Sequence, residues 1–334
     1  MKPVIFGLSG EVLTADERSF FRDADPAGYI LFKRNVVDRD QVRRLTDELR
    51  SIDGRDDLPI LIDQEGGRVA RMQPPVWPKF PAGEPFGALY EKAPASAIEA
   101  ARANAEAIAL TLSEVGITVD CLPLLDVRQQ GASDVIGDRS FGSDPMRVAA
   151  LGRAVLDGLR RGGCVGVVKH MPGHGRALVD SHLKLPVVEA SDDELEIDIA
   201  PFRTLKDAPM GMSAHIVYKA WDPERPATLS PIVIEKIIRG RIGFDGLLMT
   251  DDIDMKALSG RTGEKASAAV AAGCDLVLDC WGRMDEMIDI AGALDEIRPE
   301  SRARLDRAMA TIAGDPKGDF AALVEKRDAL LAYA

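Results

Sequence analysis

Short apolar runs alternate with longer amphipathic stretches along the whole chain. Eight of these runs predict β-strands, at residues 4–8, 29–32, 60–63, 119–126, 165–169, 211–216, 247–251 and 275–279. Most of them are continuously apolar rather than alternating in polarity, which is typical of strands that are buried on both faces of a parallel sheet. The stretches between them carry apolar residues at helical spacing and predict helices.

Several of the predicted helices have recognisable start signals. Ser191 is followed three residues later by Glu194, and Asp38 by Gln41, the spacing of a capping box. Eight strand–helix units in succession favour a (β/α)8 barrel, an α/β fold, with a doubly wound open sheet as the alternative. Neither of the glycine-rich motifs that open nucleotide-binding sheets, GxGxxG and GxxxxGK[ST], occurs in the chain.

No linker or repeat divides the chain. We therefore predict one barrel over residues 1–300, with the helices of residues 301–334 packed on it. With 42 basic and 54 acidic residues the net charge is −12, which argues against nucleic-acid or membrane partners. The N-terminus shows no signal-peptide pattern, and no run of about 18 apolar residues occurs. We expect a cytoplasmic monomer.

The four cysteines give no sign of a metal site or of a disulfide framework. They lie far apart, and no CxxC pattern is present. We expect them to be reduced, and we expect neither a metal nor another cofactor. The four are Cys121, Cys164, Cys274 and Cys280.

Polar residues collect where the predicted strands end, which is where barrel enzymes carry their active sites. All four histidines fall between positions 170 and 215: His170, His174, His182 and His215. Any one of them alone is better explained as a structural side chain. Their confinement to two strand ends and one loop indicates a common cleft, with the roles of His174 and His215 left open.

Asp251 and Asp252 end the seventh predicted strand. Alternation along a strand sends their side chains to opposite faces, so we expect only one to reach the mouth of the barrel. Leu247 and Met249 share the face of Asp251, which places Asp251 above the inward-facing column. A carboxylate there suits a nucleophile or a stabiliser of positive charge. For Asp252 we expect a structural cap or ion pair.

The loop that follows the fifth strand carries Asp180, Ser181 and His182. The carboxylate of Asp180 is close enough in sequence to hydrogen-bond the imidazole of His182, orienting the ring and stabilising its protonated form. Histidine titrates near neutral pH, so such a pair suits proton transfer. The D-x-H pattern by itself is common and weak.

Taken together, five ordered motifs resemble glycoside hydrolase family 3, and specifically its single-domain bacterial β-N-acetylglucosaminidases (β-hexosaminidases) of peptidoglycan recycling. The matching segments are ILIDQEGGRVAR (60–71), VIGDRSFG (135–142), VKHMPGHG (168–175), DSH (180–182) and MTDDIDM (249–255). The resemblance implies a (β/α)8 fold and an exo-acting retaining glycosidase. Its substrate would be terminal β-linked N-acetylglucosamine on muropeptides.

The resemblance also implies roles for particular residues. Asp251 maps to the nucleophile, His182 to the proton donor and acceptor, and Asp180 to the residue that orients and tunes His182. Five further positions map to substrate binding: Asp63, Arg71, Arg139, Lys169 and His170. The paired glycines that follow Glu65 would let the backbone approach the sugar closely.

The chain departs from the family pattern in two places. Met171 stands where phenylalanine is usual, and Arg176-Ala177 where Asp-Thr is usual, which puts the hydrogen bonds of the loop in doubt. A β-glucosidase or β-xylosidase of the same family remains an alternative activity. So do substrate-assisted cleavage, a metal-dependent barrel hydrolase and a non-catalytic sugar-binding protein.

Overall fold

The computed structural model describes residues 1–181, 184–312, 316 and 318–333. Within them, eight parallel strands close a barrel in which each strand pairs with the next one along the chain and the last pairs with the first. The predicted barrel is confirmed, and the open sheet is excluded. The strands are β1 (Lys2–Gly7), β2 (Pro26–Leu31), β3 (Ile60–Ile62), β4 (Val119–Asp120), β5 (Val165–Met171), β6 (Met210–Ser213), β7 (Leu247–Asp252) and β8 (Leu276–Asp279).

Helices connect the strands and cover the outside of the barrel. They are α1 (Ala15–Ala24), α2 (Arg39–Asp53), α3 (Glu84–Lys92), α4 (Pro94–Glu114), α5 (Pro145–Arg161), α6 (Asp192–Thr204), α7 (Thr262–Ala272), α8 (Met284–Ala293), α9 (Pro299–Met309) and α10 (Phe320–Leu331), with a π-helical segment at Val233–Ile242. No helix in the described ranges is both long and apolar enough to cross a membrane.

The capping signals are confirmed in part. Ser191 and Glu194 form the reciprocal capping box at the start of α6. At α2 the side chain of Asp38 accepts from the Gln41 backbone, but the Gln41 side chain accepts from the backbone N–H of Val37, one residue earlier than a capping box requires. The terminus therefore has a side-chain cap without the full box.

The barrel interior is filled by inward-facing side chains of the strands. Leu305, Ala308 and Met309 of α9 belong to the same buried cluster, and Ser301 Oγ donates to Asp275 Oδ1 (2.7 Å) just before β8 begins. The helix α9 therefore closes the N-terminal end of the barrel, which leaves the opposite end open. The helix α10 packs on α4. The division of the chain at residue 300 stays a prediction.

Candidate active site

A cavity of about 440 Å³ opens at the C-terminal end of the barrel. Seven of the eight site residues predicted from the sequence line it: Asp63, Arg71, Arg139, Lys169, His170, Asp180 and Asp251. The eighth, His182, lies outside the described residues. Strands distant in the sequence thus bring the predicted groups to one place.

A network of buried ion pairs forms one wall of this cavity. Lys169, which is 2% exposed, places Nζ 3.0 Å from Asp63 Oδ1 and 2.7 Å from Glu65 Oε1. Arg139 binds Glu65 with two hydrogen bonds, from Nε to Oε2 and from Nη2 to Oε1, both 2.8 Å. Arg71 Nη2 donates to Asp63 Oδ2 at 2.9 Å. We call Asp63, Glu65, Arg139 and Lys169 the recognition wall.

The charges of the recognition wall stabilise one another. Burial alone would raise the pKa of Glu65, but Lys169 and Arg139 outweigh burial and lower it to about 2. Burial likewise opposes the ionised form of Asp63, whose pKa Lys169 and Arg71 hold well below its usual range. All these groups therefore stay charged at neutral pH, and they offer the charge-assisted hydrogen bonds that sugar hydroxyls can exchange.

The sequence reasoning nominated Asp63 but missed Glu65. Glu65 lies in a short strand, Gln64–Gly66, that pairs antiparallel with Val69–Ala70 directly after β3. This hairpin turns the Glu65 carboxylate towards Lys169 and Arg139. The only available signal was a charged residue inside a matching motif, because its cationic partners are more than 70 positions away in the sequence.

The paired glycines of this hairpin are required by the packing of the protein itself. A Cβ on Gly66 would collide with the carbonyl oxygen of Pro81, and one on Gly67 would lie 2.7 Å from Cβ of Ala82. Both glycines also have positive φ angles, of 98° and 59°. They admit a neighbouring protein segment, and the close approach of the backbone to a sugar stays a prediction.

A second buried carboxylate, also missed from the sequence, orients His170. Asp126 Oδ2 lies 2.8 Å from His170 Nδ1, and Asp126 Oδ1 accepts from the backbone N–H groups of His170 (3.2 Å) and His174 (2.7 Å). Burial would raise the pKa of Asp126, yet the adjacent His170 lowers it. With Nδ1 held in this way, the remaining ring nitrogen of His170 is the one left for a ligand.

His174 connects the fifth strand end with the Asp-Ser-His segment. Burial and the nearby His170 lower its pKa to about 4, so the imidazole is neutral at pH 7. Its Nε2 lies 3.2 Å from Oγ of Ser181, the residue after Asp180. His174 also lines the cavity, so it both braces the segment and borders the site.

His215, in contrast, is a structural residue beneath the seventh strand end. Its Nε2 lies 2.9 Å from the carbonyl oxygen of Asp252, and its Nδ1 lies 2.8 Å from Thr228 Oγ1. Burial lowers its pKa, and a carbonyl only accepts, so the neutral ring carries its hydrogen on Nε2. Both nitrogens are engaged, and Nε2 holds the backbone that follows Asp251.

Asp251 and Asp252 both line the cavity, so the expectation that only one would reach the mouth was wrong. Met249 pairs with Leu276 and Asp252 with Leu278, which leaves two residues of β7 opposite one residue of β8. Such a bulge interrupts the alternation of side chains on which the expectation depended.

The contacts of Asp252 nevertheless match the structural role expected for it. Its Oδ1 accepts from the backbone N–H groups of Asp254 and Cys280, both at 3.3 Å. Its own N–H donates to Asp251 Oδ1 at 2.8 Å. Asp252 thus ties the two strand ends together and fixes one oxygen of Asp251. Burial and the adjacent Asp251 raise the pKa of Asp252 to about 6.

The two departures from the family pattern are accommodated by packing and by a new ion pair. Met171 is fully buried in the hydrophobic core. Arg176 reaches α6, where Nε lies 2.6 Å from Asp198 Oδ2 and Nη2 donates to the carbonyl of Glu194 (2.8 Å). Asp198 is 1% exposed. The segment that leads to Asp180 is therefore anchored to a neighbouring helix.

Among the residues that the structure describes, no group of three or more His, Cys, Asp or Glu side chains is arranged to hold a metal ion. The described residues therefore offer no such ligand cluster for a metal-dependent hydrolase.

Residues 10–314 match the family model of the glycosyl hydrolase family 3 N-terminal domain. A β-hexosaminidase of Aromatoleum aromaticum is 38% identical over 310 residues, which cover 91% of this chain and 86% of that protein. The crystal structure of NagZ from Neisseria gonorrhoeae in complex with N-trifluoroacetyl-D-glucosamine superposes with a TM-score of 0.89 at 33% identity, covering 100% of this chain and 98% of that one. A glycoside hydrolase family 3 β-N-acetylglucosaminidase from Paenibacillus sp. str. FPU-7 superposes with a TM-score of 0.86 at 32% identity, covering 98% and 66%.

Proposed function

This chain belongs to glycosyl hydrolase family 3 and is a glycoside hydrolase, and we propose that it is a retaining exo-β-N-acetylglucosaminidase. The observation that carries the proposal is the meeting of Asp251 with five predicted sugar-binding residues around one cavity, in a chain whose relatives are β-hexosaminidases. The five are Asp63, Arg71, Arg139, Lys169 and His170.

In the first step, a carboxylate oxygen of Asp251 attacks the anomeric carbon, and the bond to the leaving oxygen breaks. Protonated His182 gives its proton to that oxygen, so that the aglycone leaves as a neutral alcohol. The products of this step are a glycosyl ester on Asp251 and a neutral imidazole. The backbone N–H of Asp252 donates to Asp251 Oδ1 and orients the carboxylate.

In the second step, neutral His182 removes a proton from water, and the hydroxide formed attacks the same anomeric carbon. The ester bond to Asp251 breaks, and the sugar is released with its original anomeric configuration. Asp180 is the residue that orients His182 and stabilises its protonated form. A histidine avoids the need to raise a carboxyl pKa by burial, which is how many glycosidases keep their acid protonated.

The recognition wall binds the terminal sugar. Lys169 and Arg139 present charged donors, and Asp63 presents an ionised acceptor that binds sugar hydroxyls through charge-assisted hydrogen bonds. His170 contributes the ring nitrogen that Asp126 leaves available. Because these groups are already paired with one another, the pocket is organised before the sugar arrives.

The natural substrate that we propose is a muropeptide with terminal N-acetylglucosamine, cleaved in the cytoplasm by a monomer. Support comes from the family of the chain and from the four cysteines, all free and buried, which fit a reducing compartment. A β-glucosidase or β-xylosidase activity is the alternative within the family.

A substrate panel tests this proposal. Hydrolysis rates of 4-nitrophenyl β-N-acetylglucosaminide, β-glucoside and β-xyloside are compared, and the anomer first released is identified by proton NMR. We expect the N-acetylglucosaminide to be preferred by about a hundredfold or more, with the β-anomer appearing first. Faster cleavage of the glucoside or xyloside would contradict the proposed substrate. An α-anomer as the first product would contradict the retaining mechanism. EDTA-dependent loss of activity, restored by zinc, would favour the metal-dependent alternative.

A further inference from the structure

A half-exposed tryptophan stands at the mouth of the cavity. Trp281 lies two residues after the end of β8, lines the cavity and is 52% exposed. The other two tryptophans do not line it. Trp77 is buried, and Trp221 is half-buried with its Nε1 donating to Asp192 (2.5 Å). Tryptophan offers a large, rigid aromatic face, so an exposed indole that lines an active-site cavity is a surface on which a ligand can pack.

The segment that carries Trp281 is fixed on both sides. The backbone N–H of Cys280 donates to Asp252 Oδ1, and the carbonyl of Cys280 accepts from Arg34. On the other side Gly282 has a φ of 67° and lies so close to the backbone of Leu8 that a Cβ would collide with it. The indole is therefore carried by the end of β8, which is hydrogen-bonded to the end of β7 that bears Asp251.

One face of the indole ring is occupied by a cation. The guanidinium carbon of Arg283 lies 5.6 Å from the ring centroid, and Arg283 is itself paired with Asp254 and Glu286. A guanidinium at this distance is attracted to the ring face. The opposite face is what remains for a ligand.

The position of Trp281 at the rim of the cavity indicates which part of the substrate contacts it. The groups of the recognition wall are almost wholly buried, with Lys169 2% and Glu65 7% exposed, whereas Trp281 lies at the rim. An exo-acting enzyme holds the terminal sugar at the closed end, so the leaving group must extend towards the rim. The apolar face of a pyranose ring, in which C–H groups are directed outwards, is the natural partner of an aromatic face.

We propose that Trp281 is the stacking platform for the sugar on the leaving-group side of the scissile bond, an inference that rests on the proposed glycosidase activity. Trp281 is then a specificity-determining residue. It selects substrates whose aglycone is a second pyranose, and it leaves recognition of the terminal sugar to the charged wall.

Two variants test this inference, Trp281→Ala and Trp281→Phe, with Trp221→Ala as the matched control. The probes are di-N-acetylchitobiose as substrate, its uncleavable thio-linked analogue in fluorescence titrations, and free N-acetylglucosamine, which fills only the terminal-sugar pocket. Trp281→Ala should raise the KM for the disaccharide about tenfold. Trp281→Phe keeps an aromatic face, so its KM should return most of the way to the parent value. Inhibition by free N-acetylglucosamine and all constants of Trp221→Ala should stay within about twofold of the parent.

The outcomes separate the two proposals. An unchanged KM for the disaccharide in an active Trp281→Ala enzyme would overturn the stacking role. An equal weakening of inhibition by free N-acetylglucosamine would overturn it too, because Trp281 would then belong to the terminal-sugar pocket. A parent enzyme that cleaves no β-N-acetylglucosaminide contradicts the proposed function itself. A parent fluorescence change with the thio-linked disaccharide that is lost in Trp281→Ala would support the inference.

Discussion

The two sides of the cavity are constructed in different ways. The recognition wall consists of charges that satisfy one another across β3, β5 and the loop that carries Arg139. The segment of residues 173–181, which leads to His182, is held near its start by Arg176 and by Tyr218, whose hydroxyl donates to the Gly173 carbonyl at 2.8 Å. Farther along, Leu178 is 69% exposed.

This difference matches two chemical tasks. Binding a sugar in one pose needs fixed donors and acceptors, and coupled ion pairs provide them. A proton donor that must also admit substrate and release product is better carried on a loop that is anchored at its base. Substitutions can disrupt each side of the cavity separately, and the following predictions use them.

Lys169→Met should have the largest effect, because it leaves the buried carboxylates of Asp63 and Glu65 without their common cation. We expect the unfolding free energy to fall by about 3–5 kcal/mol, and kcat/KM to fall with it. Chemical denaturation and steady-state kinetics measure both. Lys326→Met, which removes a half-exposed pair with Glu99, is the control and should cost about 1 kcal/mol or less. Equal losses for the two variants would contradict a wall built on buried charge.

His182→Ala breaks the other side. Substrates with poor leaving groups need protonation of the leaving oxygen and should lose about 10²–10⁴ in kcat/KM, whereas activated aryl glycosides should lose far less. The measurement is a series of aryl N-acetylglucosaminides of graded leaving-group pKa. Leu178→Ala, an exposed neighbour, serves as the control and should leave the series unchanged. A loss that is independent of the leaving group would remove His182 from the acid role.

Arg176→Met should separate kcat from KM. The substitution frees the base of the segment from α6 while the recognition wall stays intact. We expect kcat to fall about fivefold through mispositioning of the acid/base group, with inhibition by N-acetylglucosamine unchanged and kcat partly rescued in Arg176→Lys.

The matched control for Arg176→Met is Arg153→Met, which removes a surface pair with Asp207 and should leave kcat unaltered. An increase in KM without any change in kcat would show that Arg176 does not position the catalytic segment.

The last prediction concerns the pH dependence of stability, whose sign differs between the two sides of the cavity. Burial raises the pKa of Asp198 from an ordinary 3.8 to about 6, so its stabilising contribution is complete below pH 3.8 and is lost as the pH rises through 6. The lowered pKa of Glu65, about 2, has the opposite sense. The stabilising contribution of Glu65 is present above pH 4.5 and is lost as the pH falls through 2.

In the parent, this group should change the unfolding free energy by about 2–3 kcal/mol at most between pH 4 and 6. Asp198→Asn should remove that change. Urea denaturation at several pH values measures this change. A variant whose profile still follows the parent across that range would contradict the raised pKa of Asp198.

The sequence predicted the barrel well because its strands are continuous apolar runs separated by helical stretches. The site residues that were predicted sit at strand ends or inside family motifs. Those that were missed, Glu65 and Asp126, act through partners that only the folded chain brings near.

The error at Asp251 and Asp252 has a different origin. Alternation is a rule for regular strands, and a bulge in β7 cancels it within two residues. No local pattern in the sequence announces such a bulge, because it results from the pairing with β8. Sequence patterns therefore predict elements more reliably than they predict the direction of individual side chains at strand ends.

The claim on which the account depends is that Asp251 becomes covalently glycosylated. A fluorinated N-acetylglucosaminyl reagent that slows release of the intermediate, followed by peptide mapping by mass spectrometry, tests this claim directly. We predict one added sugar on the peptide that contains residues 251 and 252, retained in Asp252→Asn and absent in Asp251→Asn. An enzyme that turns over normally but carries no adduct, or carries it elsewhere, would contradict the account and favour attack by the substrate's own acetamide.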